Sequence, residues 1–260
     1  MSAAAIDALQ AEIARARPLM ASLTPDEWAA DSGCAGWSVQ DVFCHMASVF
    51  HSIADPTTIV GGTSANAEEN AEVPVQARRT WNSQQVVAEY DEWSDKGLTA
   101  LTALQSAPMA DTVIALANLG SHPMHILANA IVFDHYCHLR HDIGRAISRA
   151  AALPRDEGAL SATLEWMLAG LPQMCDSLLS VCTQGVNLVF EGPAAGDYVL
   201  TPGQPFWTVS GGRDPSLPVA TTTVHDFVSW GTKRADWRDS AKMEPRDGAA
   251  EATLDALNII

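Results

Sequence analysis

The sequence predicts an α plus α+β chain: a helical N-terminal part followed by a small α+β unit. Three observations carry this reading. Apolar residues recur at helical spacing through most of positions 1–150. Beyond Pro154 one amphipathic helical stretch gives way to short β-like runs between Gly- and Pro-rich turns. The 260 residues are also enough for two modest cores. The change of character at 150–157 sets two expected domains, 1–152 and 153–260.

Residues 3–23 read as the first helix. It stops at Thr24-Pro25-Asp26-Glu27, where an N-cap, a proline at N1 and an acid at N3 open a short helical turn. Ser38 is placed to cap a helix over 39–53, with Asp41 at N3, where the helix dipole favours an anion. Its buried stripe is expected to be Val39, Val42, Met46, Val49 and Ile53. Residues 55–80 combine Pro, Gly and Asn with the acidic pair Glu68-Glu69 and predict a long surface loop. Third and fourth helices are expected over 83–105 and 123–150. In the second part a helix over 158–181 precedes strands at 186–191, 198–200 and 206–209. Thr221-Thr222-Thr223 caps a helix reaching Thr232, and 249–258 reads as a last helix.

Charge narrows the function classes. There are 15 Lys and Arg against 31 Asp and Glu, a formal net charge of -16 spread over both halves. Such a field repels nucleic acid and anionic lipid, so neither is expected as a partner. No apolar run approaches the ~18 residues that span a bilayer, and the acid-bearing N-terminus lacks a basic signal region. A cytoplasmic protein is expected. The five cysteines, an odd number without a CxxC, read as free and mostly buried thiols. None has a histidine partner at a readable spacing, so a cysteine nucleophile is unsupported.

Three groups of residues invite chemistry. His45 lies at the edge of its helix's stripe, three residues after Val42 and four before Val49. From that helix alone it reads more simply as a partly buried histidine bonded to a carbonyl, and Cys44 points away from it. In the run from Phe133 to Ile143, Asp134 and His138 are four apart and share a helix face, which His141 and Arg145 extend. Traced backwards, the row runs into Leu127 and Ile131. A carboxylate and an imidazole facing a core are costly unless they pair or coordinate a metal. Two ligands at i and i+4, with a third from a facing helix, is how bundles build metal sites. Against this stands a second apolar band, Val132, Tyr136, Leu139, Ile143 and Ile147. If that band is the core face, the polar row is solvated, and periodicity leaves both readings open. His122 and His125 flank Pro123 at a helix start, where a loop or capping role is the simpler one. Near the end, Lys233, Arg234, Arg238, Lys242 and Arg246 cluster beside Trp230 and Trp237. They suit a carboxylate-bearing ligand, or more simply balance Asp236, Asp239, Glu244 and Asp247.

The stretch Trp28…Gly36-Trp37-Ser38-Val39-Gln40-Asp41-Val42…His45-Met46-Ala47 resembles the second-helix signature of DinB-like metal-binding bundles. More narrowly it is similar to the mycothiol-dependent maleylpyruvate isomerase family. Phe133-Asp134…His138-Leu139-Arg140-His141-Asp142-Ile143 resembles that family's fourth helix, and the C-terminal part its sterol-carrier-like domain. The resemblance implies a DinB-like four-helix bundle with a sterol-carrier-like α+β domain. It implies zinc held by His45, Asp134 and His138, and an assisting arginine, for which Arg234 is the nearest candidate. This chain has Asp134 where those isomerases carry glutamate, so the metal must sit nearer the helix or His141 must substitute.

The function expected from this resemblance is a zinc-dependent enzyme using a low-molecular-weight thiol, mycothiol, as cosubstrate. Three protein ligands leave a fourth metal position open, and a thiol entering it is held as thiolate. The thiolate would attack a small electrophilic substrate, leading to isomerisation or S-transfer. Arg234 would stabilise the developing anion, and the basic cluster suits a carboxylated substrate. The same site with water in place of thiol would make a hydrolase. A closed four-ligand site, with His141 as fourth, would make a non-catalytic binding protein. The N/O donors also suit nickel, cobalt or iron. The sequence offers no exposed heptad seam and does not give the oligomeric state.

Overall fold

A computed structural model describes residues 3–260 and divides them into two units, one ending at Pro154 and one beginning at Arg155. In the first, α1 (Ala3–Ser22) buries Leu9, Ile13, Ala16 and Met20 along one stripe, the 3,4 spacing of a core-facing helix. Glu12 falls on the same stripe and is wholly buried. The short α2 (Pro25–Trp28) and the long α3 (Val39–Ala54) both begin in full capping boxes, Thr24 with Glu27 and Ser38 with Asp41. Each satisfies two backbone donors that a helix start otherwise leaves unmade.

The expected loop over 55–80 is partly wrong. It contains α4 (Ala67–Gln76), capped by Asn66, whose side chain accepts from the amides of Glu68 and Glu69. The acidic pair belongs to a first helical turn, where the dipole stabilises it. Then α5 (Ser83–Ala103), capped by Asn82, packs along α3. The approach is close at Gly97, where a Cβ would lie 2.5 Å from Phe50 Cδ1.

A small hairpin of β1 (Val113–Ala115) and β2 (Ser121–Pro123) comes next, so the fourth helix starts later than expected, as α6 (Leu127–Cys137). It does not run on to 150. A π turn, His138–Ile143, follows it, and then the short α7 (Gly144–Ala146) and α8 (Ser148–Ala151). The long helices α1, α3, α5 and α6 make the expected four-helix arrangement, α1 packing on α5 and α6, and α3 on α5 and the π turn.

The second unit begins with α9 (Glu157–Met174) and α10 (Asp176–Leu179), where one helix to 181 was expected. Pro172, unable to donate to the ladder, sits in the last turn of α9. The sheet follows: β3 (Val186–Glu191), β4 (Gly196–Thr201), β5 (Thr208–Gly211), β6 (Val219–Thr223) and, after α11 (Val224–Gly231), β7 (Lys242–Glu244). Strand order is β5-β4-β3-β6-β7, with β6 parallel to β3 and the other pairs antiparallel. The central β3 is buried from Val186 to Phe190, as a strand covered on both faces must be. Both β6 and β7 escaped the sequence reading. Thr223 does cap α11, but the residues before it form a strand through pairing with distant β3. The chain ends with α12 (Gly248–Asp255). Among the described residues no helix is long and apolar enough to cross a membrane. The five cysteines are free thiols.

Candidate metal centre

The capping box at Ser38 fixes where α3 starts, and His45 follows two turns in, 9% exposed and facing α6 and the π turn. Its ring lies 5.3 Å from that of Trp37 and 5.0 Å from that of His138. Residues 89 positions apart thus meet: His45 Nε2 is 2.9 Å from Asp134 Oδ1. The same oxygen is 3.4 Å from His138 Nε2. The donor atoms of His45, Asp134 and His138 all lie within 4.8 Å of one another.

The two faces that competed in the sequence are both packed. Val132, Tyr136, Leu139, Ile143 and Ile147 are buried, and so is Ile131 on the other side. Asp134 and His138 are therefore not a solvated row; their side chains are 18% and 12% exposed. The π turn ends the row that was expected to include His141 and Arg145. One extra residue in the turn passes the face from position 141 to position 142, and Arg145 is exposed. His141 lies outside the donor cluster, its ring 6.4 Å from that of Tyr136. Asp142 comes into the site in its stead. Its Oδ2 accepts from His138 Nδ1 at 2.7 Å, and the carboxylate is fully buried.

Electrostatics binds the cluster. Burial works against the Asp134 charge, but the imidazoles of His45 and His138 outweigh it and hold the carboxyl well below its ordinary range. Burial likewise opposes a charged His138, yet Asp134, with Asp142 behind it, holds that ring well above the usual histidine value. Two buried atoms of the cluster, His45 Nδ1 and Asp134 Oδ2, make no hydrogen bond among the described residues. Buried polar atoms left so are rare, and a bound ion or water commonly completes them.

The residues fit a divalent cation on the chemistry of the donors. Two imidazoles and one carboxylate are a set used for catalytic zinc, and equally for non-haem iron. Ligands around a tetrahedral zinc stand about 3.3 Å apart, from bond lengths near 2.0–2.1 Å. The distances of 2.9 and 3.4 Å bracket that spacing. The shorter Asp134 reaches both histidines without help from His141.

The other candidates fall elsewhere. His122 bonds the carbonyl of Leu119 and His125 that of Ala110, the simpler role expected of them. His135 is buried and pushed down to about 4 by burial; its Nδ1 donates to Ile131 O and its Nε2 accepts from Tyr90. Burial pushes the Cys44 thiol up to about 12. Cys34 does have a histidine partner through space: its Sγ is 3.7 Å from His138 Nδ1, a contact 104 residues apart that no spacing reveals. In the second unit, Arg238 pairs with Asp255 and Asp236, Lys242 with Glu244 and Arg246 with Glu251. Most of the basic cluster is therefore charge balance. Arg234 is exposed on the turn after α11.

A His–Asp–His set on inward side chains of a four-helix bundle is an arrangement on which bundle proteins can hold a divalent ion. The profile of the mycothiol maleylpyruvate isomerase N-terminal domain matches residues 9–144, just over half of the chain, and the chain belongs to this family. Its fold is similar to the crystal structure of the mycothiol-dependent maleylpyruvate isomerase at 12% identity, with a TM-score of 0.59 over 94% of this chain and 92% of that one. It is likewise similar to a histidine-to-alanine mutant of that isomerase, at 13% identity and a TM-score of 0.56 over the same shares of both chains. Among curated proteins no sequence matches.

Proposed function

We propose that the chain is a thiol-dependent metalloenzyme in which His45, Asp134 and His138 hold a divalent metal, with zinc the first to test. Its reaction is isomerisation or S-transfer on a small electrophilic substrate, with mycothiol as the thiol and maleylpyruvate the first substrate to test. The convergence of these three side chains from α3, α6 and the π turn, in a chain of this family, carries the reading. When bound, the metal supplies Lewis acidity that keeps an incoming thiol deprotonated at neutral pH.

The protein's own residues do the rest. Asp134 meets both imidazoles and supplies the negative charge that offsets a dication. His45, Asp134 and His138 would hold the ion with three donors, fewer than a closed four-ligand structural site uses. Packing of Ile131, Val132 and Tyr136 around the helix keeps the donors in one geometry.

The test is a thiol-dependence assay on the zinc-loaded protein. Maleylpyruvate is offered with and without mycothiol, alongside a bimane electrophile that reports S-transfer. The expected result is turnover with mycothiol only, and none in His45→Ala. Turnover of esters or amides without thiol would overturn the reading in favour of a hydrolase.

A further inference from the structure

We propose that Asp142 is a positioning residue of this centre, whose buried carboxylate holds the His138 proton on Nδ1 and so presents Nε2 to the metal. The inference rests on the metal-site reading above and adds a residue to it. A carboxylate only accepts, so the nitrogen 2.7 Å from Asp142 Oδ2 carries the hydrogen. A neutral ring so held has its lone pair on Nε2, the atom 3.4 Å from Asp134 Oδ1. Without that bond either tautomer is available, and one of them turns an N–H toward the ion.

Two features of the fold keep Asp142 in place. Within the π turn it stands four residues after His138 and on the same side. Gly33 then lets the chain before α3 lie directly on it. The Gly33 amide donates to Asp142 O at 2.9 Å, and a Cβ there would stand 2.6 Å from Asp142 Oδ1 and 2.8 Å from its Cα. The next residue, Cys34, closes the same side with its thiol against the His138 ring. A wholly buried carboxylate behind an imidazole ligand orients the ring and raises its basicity as a donor. Cys34, His138 and Asp142 also gather donor atoms within 4.8 Å, which offers the opposing arrangement, a second ion bound through Nδ1.

The experiment compares the full-length wild type with Asp142→Asn and Asp142→Ala. It measures zinc affinity by chelator competition, zinc stoichiometry, and the melting temperature of the metal-free proteins. Long-range 15N correlation on the zinc-loaded wild type reads which His138 nitrogen is protonated. The expected result is one zinc per wild-type chain, a proton on Nδ1, and affinity ~10–100-fold weaker in both variants. The metal-free Asp142→Asn protein should melt within ~3 °C of the wild type. Affinities within twofold of the wild type overturn the proposal, as does a proton on Nε2, which needs no variant to detect. A loss of affinity that only follows a fall in metal-free stability also overturns it, as does a second zinc lost with Asp142. A wild type that binds no zinc instead overturns the metal reading beneath it, so the two failures are distinct.

Discussion

Arg140 sits in the π turn, two residues from both His138 and Asp142, and its replacement should loosen the ground on which they stand. Its guanidinium is fully buried and forked onto the equally buried Glu12 of α1, with Nη1–Oε2 2.8 Å and Nη2–Oε1 2.9 Å. It also bonds Pro154 O and lies 4.0 Å from the centre of the Tyr136 ring. Arg140→Leu would leave a carboxylate in the core with Arg15 at its edge. Removing one partner of a buried pair costs about 3–5 kcal/mol, because the other charge remains desolvated. With a urea slope near 2 kcal/mol/M, the midpoint for this unit should fall by about 1.5–2.5 M. The assay is urea unfolding read by hydrogen exchange on peptides from α1 and α6, so that the second unit does not mask the change. The double replacement Glu12→Leu with Arg140→Leu should recover much of the loss, since a buried pair is often replaceable by apolar groups. A fall below about 0.5 M for Arg140→Leu, or a double variant weaker than the single, would refute the reasoning.

Other expectations follow from the same geometry. Glu27 is held down to about 2, chiefly by its hydrogen bond from Arg149, so its folded-state value lies below the ordinary 4.5. Its contribution to stability should be present above pH 4.5 and be lost as pH falls toward 2; acid titration of Glu27→Gln should lack that component. Cys44, pushed up to about 12, should resist iodoacetamide at pH 8 in the native protein and react only after unfolding, as peptide mass mapping would show. Gly97→Ala drives a methyl against Phe50, and overpacking of about 1–3 kcal/mol should exceed the helix-propensity gain of about 1 kcal/mol. A lower melting temperature would bear that out.

What the sequence made legible was local. Ser38 with Asp41 and Thr24 with Glu27 are complete within four residues, and both caps form as read. The i and i+4 pair Asp134 and His138 was equally visible, but which face of its helix met the core was not, because both do. The π turn has no local signature, so helical spacing points to His141, whereas the structure brings Asp142 to His138. Asp142, four residues after His138, is a second carboxylate–imidazole pair at that spacing, and this was the available signal. Cys34 and β6 could not be found this way, since each is defined by partners from remote parts of the chain. Residues 67–76 misled for another reason: Pro74 and the paired acids look like loop composition, whereas Asn66 ahead of them is the start of a helix.

Metal content of the purified protein by mass spectrometry tests the account most directly, with the wild type beside His45→Ala and His138→Ala. The account predicts about one zinc per wild-type chain and essentially none in either variant. A wild type that holds no metal after incubation with zinc, or variants that retain it in full, would contradict it.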